Sequence, residues 1–528
     1  MMLTLDGKGV CEKVDDLFKK QYSMLGLWHT LADQFYPERA DFKNVHNTGS
    51  LDADSLVDSF PALARRDLGN SFHAMLRDGK WFELTAGGDY ECDRDGKLWL
   101  EWATKKQFRI MQTRVSNFER SVKNGDMDFA TFGQCVISIE PNRTYNGVLY
   151  RNWHLRDCAW EEDEGGQVET VARKWEPSLH ELVRIFGRDK LPATLQTQYE
   201  KKPYDTTQVY HLVIPSDLTG DEQMSKFKYV SYFVTKKDNT VLEKKGINYK
   251  FYVVPRFQTI AGSPYAYSPA SFIALPDART LQAMTYTLLE AAERYARPPI
   301  VATQKVVNGP VDLRPNGITW VDNEYDERLG AALRTIDQNK GGYPIGATER
   351  GRIYEILNQA FYLDTLNLPL DGGKEMTAYE VQQRMDQYRR RNLPLFAPLE
   401  KDYNGQICET TFDLLFMMGA LGSPQDIPQS LQGTEVEFKY KSPLTADEEE
   451  EKVTQFQKTS ALLREAAELD PGVIDNVDLD DALRTAVQGM KAPVSWLRPM
   501  DEIQELRTLR VQQQAAMAAA QAEPGGAQ

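Results

Sequence analysis

The sequence predicts a mixed α+β, multidomain protein, and three observations carry that expectation. Apolar residues recur at spacings of three and four along residues 10 to 80 and again through the second half of the chain, which is the period of amphipathic helices. Between about Phe132 and Val254 the pattern changes to short alternating runs divided by turn pairs, which is the period of strands. The 528 residues also exceed what one ordinary core organises, so roughly three or four lobes are expected at about 150 residues each.

In order, Val14, Leu17, Phe18, Met24, Leu25, Trp28 and Leu31 mark a helical entry region. A second helix is expected from about Ser59 to Asp78, ending before Gly79. Lys80 to Leu84 then alternate as a strand, and a helix from about Lys97 is stopped by Asn124 and Gly125. Within the β-rich segment, Cys135 to Ile139 and Val209 to Ile214 read as strands. Tyr229 to Val234 and Val241 onward form a hairpin through Lys237, Asp238 and Asn239. A breaker-rich stretch (Gly262, Pro264, Pro269) leads into a helix from about Asp277 to Tyr295, a rod of about 30 Å that Pro298 and Pro299 end.

Residues 300 to 345 are turn-rich with brief apolar runs, a small α+β excursion, and a helix of similar length follows from about Thr348 to Leu366. Asn367 to Lys374 (NLPLDGGK) form a short loop, since Pro369, Gly372 and Gly373 resist regular structure. Thr377 and Glu380 make a capping box for a long helix reaching about Met418, with bends at Pro394 and Pro398. Thr445 and Glu448 make a second box, starting a helix whose buried face uses Val453, Phe456 and Leu463. The remainder is helical, with a frayed tail from Gln512.

Hydrophobic residues are 41% and charged residues 26%, as in ordinary folded proteins. No run approaches the roughly 18 apolar residues that span a bilayer, and the N-terminus lacks the apolar core of a signal peptide. No membrane partner is expected, and the chain is expected to stay in the cytoplasm where it is made. Cys11, Cys92, Cys135, Cys158 and Cys408 are scattered and odd in number, and read as reduced, mostly buried thiols. The net charge of −15 argues against a high-affinity groove reader but does not exclude DNA as a passenger, since a channel that lets a duplex slide gains from weak contacts: each phosphate contact made must also be broken.

No phosphate loop, zinc helix, nucleophile elbow or dinucleotide fingerprint is present, and no two of the six histidines stand at ligand spacing; neither a cofactor nor an enzymatic activity is expected. Asp157 with Glu161, Glu162, Asp163 and Glu164 is the best acidic cluster. It suits a divalent cation in a metal-dependent nuclease or nucleotidyltransferase, although carboxylates ahead of Gly165 and Gly166 more often form a solvated turn. Arg389, Arg390 and Arg391 form the sharpest basic run, fit for a neighbouring subunit's carboxylates or for phosphates. Lys374 in its glycine loop is a candidate for contact with DNA.

Three stretches carry a resemblance: RRDLGNSFHAMLRDGKWFEL (Arg65 to Leu84), WHLRDCAWEEDEGGQVETVARKW (Trp153 to Trp175) and YAYSPASFIALPDARTLQAMTYTLLEAAERYARPP (Tyr265 to Pro299). Together, and in the order of elements around them, they resemble the head-to-tail connector, or portal, family of short-tailed bacteriophages. The resemblance implies a wing over 1–268, a first stem helix over 269–297 and a clip over 298–345. It implies a second stem helix over 346–366, a channel loop over 367–376 with Gly372, Gly373 and Lys374, and a long bent helix returning to the wing over 377–440. A helical crown over 441–528 completes the layout. It further implies a ring of about twelve subunits in the virion, closed by heterologous contacts. Double-stranded DNA is the passenger, and the terminase motor, tail adaptor proteins, scaffold and major capsid proteins are partners. Another virion structural protein, such as a tail adaptor, is the nearer rival.

Overall fold

The computed structural model describes residues 5–43, 56–88, 92–142, 147–302, 342–366, 399–440, 447–469, 471–490 and 496–521, with isolated positions at 320, 322, 328, 333–335, 391 and 396. Helix α1 (Gly7–Phe35) starts where the Asp6 carboxylate accepts the Gly9 N–H at 2.7 Å. Its first half lays Val10, Val14, Leu17 and Phe18 across a five-stranded antiparallel sheet, ordered β4-β5-β6-β7-β8. The strands are β4 (Cys158–Glu162), β5 (Val168–Trp175), β6 (Val209–Pro215), β7 (Tyr229–Thr235) and β8 (Val241–Ile247). Alternation puts Tyr210, Leu212, Ile214, Tyr232 and Val234 under α1. The hairpin turn expected between β7 and β8 is present, with Asn239 in the left-handed region at φ 51°.

The opposite face of this sheet is covered by two short helices, α5 (Leu179–Phe186) and α6 (Ala193–Lys201), which the strand-like reading of 132–254 had not anticipated. Helices this short are marginal alone, and Leu179, Leu182, Phe186 and Leu195 owe their order to packing on Val209 and Leu242.

The second half of α1 enters the main core, where Trp28, Leu31 and Phe35 meet α2 (Phe60–Leu76) and a three-stranded sheet ordered β3-β2-β9. Here β2 is Val136–Pro141, β3 is Val148–Trp153 and β9 is Tyr252–Val253. Between α2 and β2, the single helix expected from Lys97 to Asn124 is two, α3 (Arg94–Met111) and α4 (Phe118–Phe132). The Ser116 hydroxyl donates to the Met111 and Thr113 carbonyls, competing with the helical ladder, and Asn117 turns left-handed at φ 57°. Gly125 is then no stop but a buried interior position: a Cβ there would stand 2.7 Å from the Tyr403 hydroxyl.

β1 (Phe82–Ala86) pairs antiparallel with β14 (Val436–Tyr440), a strand not foreseen in a region read as helical return. It follows a π-helical turn, Glu400–Gly405, and a helix, Gln406–Met417, at the end of the long helix expected there. Among the described residues that follow are three α-helices, Asp447–Leu469, Leu479–Gly489 and Met500–Gln521. Val453, Phe456 and Leu463 are half-buried instead of buried, and helix runs through Gln512 to Gln521 where fraying was expected. Both capping boxes involve positions outside the described residues. All five cysteines are buried and none is in a disulfide, and no helix among the described residues is long and apolar enough to cross a membrane.

Candidate functional site

The feature that stands apart from these cores is a pair of antiparallel helices. Helix α7 (Leu275–Ala296) continues a π-helical turn, Ala270–Ala274, and α8 (Gly342–Ala360) returns beside it. Gly346 lets the two approach so closely that a Cβ would stand 2.8 Å from Leu288. At the far end β12 (Ile300–Ala302) pairs with β13 (Leu333–Thr335), consistent with the expected excursion; most of 303–341 lies outside the described residues. The second helix begins earlier than Thr348 and breaks at Tyr362, which turns left-handed at φ 59° ahead of α9 (Leu363–Leu366).

One carboxylate roots the pair. The Asp58 side chain accepts Tyr354 Oη–H of α8 at 2.6 Å, Thr285 Oγ1–H of α7 at 3.2 Å and the Phe60 N–H that starts α2 at 2.9 Å. Gln282 completes the joint: its amide donates to the Asp58 carbonyl at 2.7 Å, and its oxygen accepts the Val57 and Asp58 N–H groups at 2.9 and 2.8 Å. Burial, with the Asp58 carboxylate beside it, pushes the Tyr354 hydroxyl pKa up, so it stays a donor. Nothing in the local sequence marks Asp58, because Gln282, Thr285 and Tyr354 lie more than 220 residues away.

Burial stops at this root. Ala278, Leu281, Gln282 and Thr285 are the buried residues of α7, and all precede Tyr286. Beyond them Tyr286 and Leu289 are each 56% exposed, and Ile345 of α8 is 66% exposed. At the base of the rod Phe272 and Ile273 are exposed as well. Apolar side chains left bare along a rod mark a surface to be covered. The rod is electrically balanced: α7 with Arg297 and α8 hold five acidic and five basic side chains, so the charge of −15 resides elsewhere. The segment 441–528 alone holds sixteen acidic and nine basic residues.

The acidic cluster around Asp157 is dispersed into ion pairs. Glu161 is bound by Lys13 at 2.5 Å and Lys20 at 3.2 Å, Glu162 by Arg256, and Asp157 by Arg156 at 3.2 Å, while Asp163 accepts the Gln167 N–H of its own turn. Burial pushes the Glu161 pKa up, but the two lysines outweigh it and hold the carboxyl below its ordinary value. No group of three or more metal-ligating side chains occurs among the described residues. Lys374, Gly372, Gly373, Arg389 and Arg390 lie outside the described residues, and Arg391 is helical and exposed.

A family model described as bacteriophage head to tail connecting protein matches residues 9–497. The chain belongs to this family. Head-to-tail connecting proteins similar to it include the probable portal protein of Bordetella phage BPP-1, 24% identical over 512 residues, 94% of this chain and 90% of that one. The portal protein of Salmonella phage epsilon15 is 22% identical over 526 residues, 95% and 92% of the two chains. Among solved structures, a chain from the neck of an empty GTA particle aligns over 76% of this chain and 86% of its own, with a TM-score of 0.38 and 8% identity. The three stretches that carried the resemblance fall on α2 to β1, on β3 to β5, and on β11 (Ala266–Tyr267) through α7.

Proposed function

We propose that this head-to-tail connecting protein is a portal subunit: about twelve copies close into a ring at one capsid vertex through heterologous contacts, and double-stranded DNA passes through it. The observation that carries the reading is the rod of α7 and α8, rooted at Asp58 and bare of apolar cover beyond Thr285. A neighbour's rod supplies the missing cover, and a ring of such rods is the stem of a channel. In this reading residues 1–268 are the wing, 269–297 and 346–366 the stem, and 298–345 the clip. The loop 367–376 is the channel loop, 377–440 returns to the wing, and 441–528 is the crown. The terminase motor, tail adaptors, scaffold and major capsid proteins are its partners in the virion.

Mechanism here is geometry and electrostatics. A rod of zero net charge holds no net attraction for phosphates, so a duplex slides past it, and the lysine of the channel loop, Lys374, grips or brakes. Native mass spectrometry with negative-stain imaging tests the ring. Closed rings of about twelve with a hole of about 20 Å or more are expected, and a stable monomer or dimer across salt and concentration sinks the reading. Lys374→Glu is expected to change DNA retention or packaging with rings intact; loss of rings in that variant refutes the loop's assignment to the channel.

A further inference from the structure

In a chain of net charge −15, residues 94 to 123 carry eight basic and three acidic side chains, a local excess of the opposite sign. The structure gathers much of it on one surface. Helix α3 buries Gly96, Leu100, Ala103, Gln107 and Met111 on one side. The helical period then sends Arg94, Trp102, Lys105 and Arg109 to the opposite side, with Lys106 flanking them. Arg94, Lys105, Lys106, Arg109 and, in the turn beyond, Arg114 are exposed. Lys105 pairs with Glu101 at 2.6 Å, while Lys106, Arg109 and Arg114 have no carboxylate partner among the described residues. Trp102, 44% exposed with its ring 6.3 Å from that of Trp99, is an aromatic left in solvent amid these cations.

We propose that this outward face of α3 is a DNA-binding surface, separate from the α7 and α8 rod, that holds the phosphate backbone without reading sequence. The fit is one of charge and shape. From Arg94 to Arg109 the row spans about 22 Å of helix, a length over which a duplex carries about a dozen phosphates on its two strands together, some of which face the row. Counterion release from a rigid polyanion supplies the affinity, and such a ligand pays no ordering entropy. An acidic polypeptide, the alternative occupant, must order itself on the row to gain the same contacts. Trp102 adds an apolar plate against which sugar or an unpaired base can rest.

The test uses the full-length protein, with imaging to record its assembly state, titrated with a short DNA duplex by fluorescence anisotropy at several salt concentrations. Wild type is compared with Lys106→Gln/Arg109→Gln/Arg114→Gln. All three positions are exposed, so the variant is expected to fold and assemble as wild type does; thermal melting checks this. Roughly tenfold or more weaker binding is expected, with the slope of log affinity against log salt reduced by about 2 to 3. Absence of binding by wild type at low salt, or equal affinity and slope in the variant, overturns the proposal. So does equally tight, equally variant-sensitive binding of polyglutamate, which assigns the face to an acidic protein. Because each copy carries the whole surface, failure to form rings is read separately from failure to bind DNA.

Discussion

Helices α4 and α7 are both amphipathic in sequence, yet the subunit treats them in opposite ways. Of the fifteen residues of α4, eleven are buried, including Asp126 and Asp128; of the twenty-two in α7, four are. Around α4 both buried carboxylates are answered from within the chain. Arg77 donates to both Asp126 oxygens at 2.9 Å and to Asn404 at 2.9 Å, with its guanidinium over the Tyr403 ring. Arg39 grips Asp128 through two bonds of 3.0 and 2.6 Å. Such an element is finished by its own subunit. The outer half of α7 is unfinished, and the difference separates what makes a subunit from what a subunit offers to others.

The largest effect is expected at the finished helix. Asp126→Ala leaves Arg77 buried and unpaired, and is expected to cost about 3–5 kcal/mol in urea unfolding, most of it recovered in Arg77→Met/Asp126→Leu. Gly125→Val forces a side chain against Tyr403 and Ile137 and is expected to cost about 1–3 kcal/mol by the same measurement. At the junction, Asp58→Ala strands several donors at a cost of about 1–3 kcal/mol. Hydrogen exchange is expected to rise in α7 and α8 and not in α4; a uniform rise blurs the division between the two regions.

A pH titration probes the same inner region. Burial pushes Asp41 up, but a 2.5 Å hydrogen bond to His154 and the Arg156 charge outweigh it and hold the carboxyl at about 2. A folded pKa below the unfolded one gives stability that is complete above about pH 4 and lost as pH falls towards 2. Asp41→Asn is expected to flatten that limb of the stability profile. The smallest effect on the subunit belongs to Tyr286→Ser/Leu289→Ser, expected to stay within about 0.5 kcal/mol in melts of the isolated chain. The same variant is expected to abolish or weaken assembly in native mass spectrometry; unchanged assembly breaks the comparison.

How far the sequence was legible follows the same division. The apolar periods located α1, α2, α7 and the β7–β8 hairpin, because each buries a continuous stripe or alternating face. They failed where tertiary contacts decide. Ser116 and Asn117 divide α3 from α4, Gly125 is interior because Tyr403 lies over it, and β14 exists because β1 offers an edge. The reading of Asp157 to Glu164 as a solvated turn suits Asp163 and the Gly166 turn, but missed that lysines of α1 claim Glu161. The rod was visible as two helices of similar length, whereas its root at Asp58, formed across more than 220 residues, was not.

That root makes the rod a lever. Contacts near Thr285 fix one end, and eleven further residues of α7, about 17 Å of helix, project from the fulcrum. A tilt of about 10° at Asp58 therefore sweeps the tip by about 3 Å on that length. In the proposed ring such levers would turn a small adjustment beside α2 into a change of aperture, with no residue at the opening needing to move relative to its own helix.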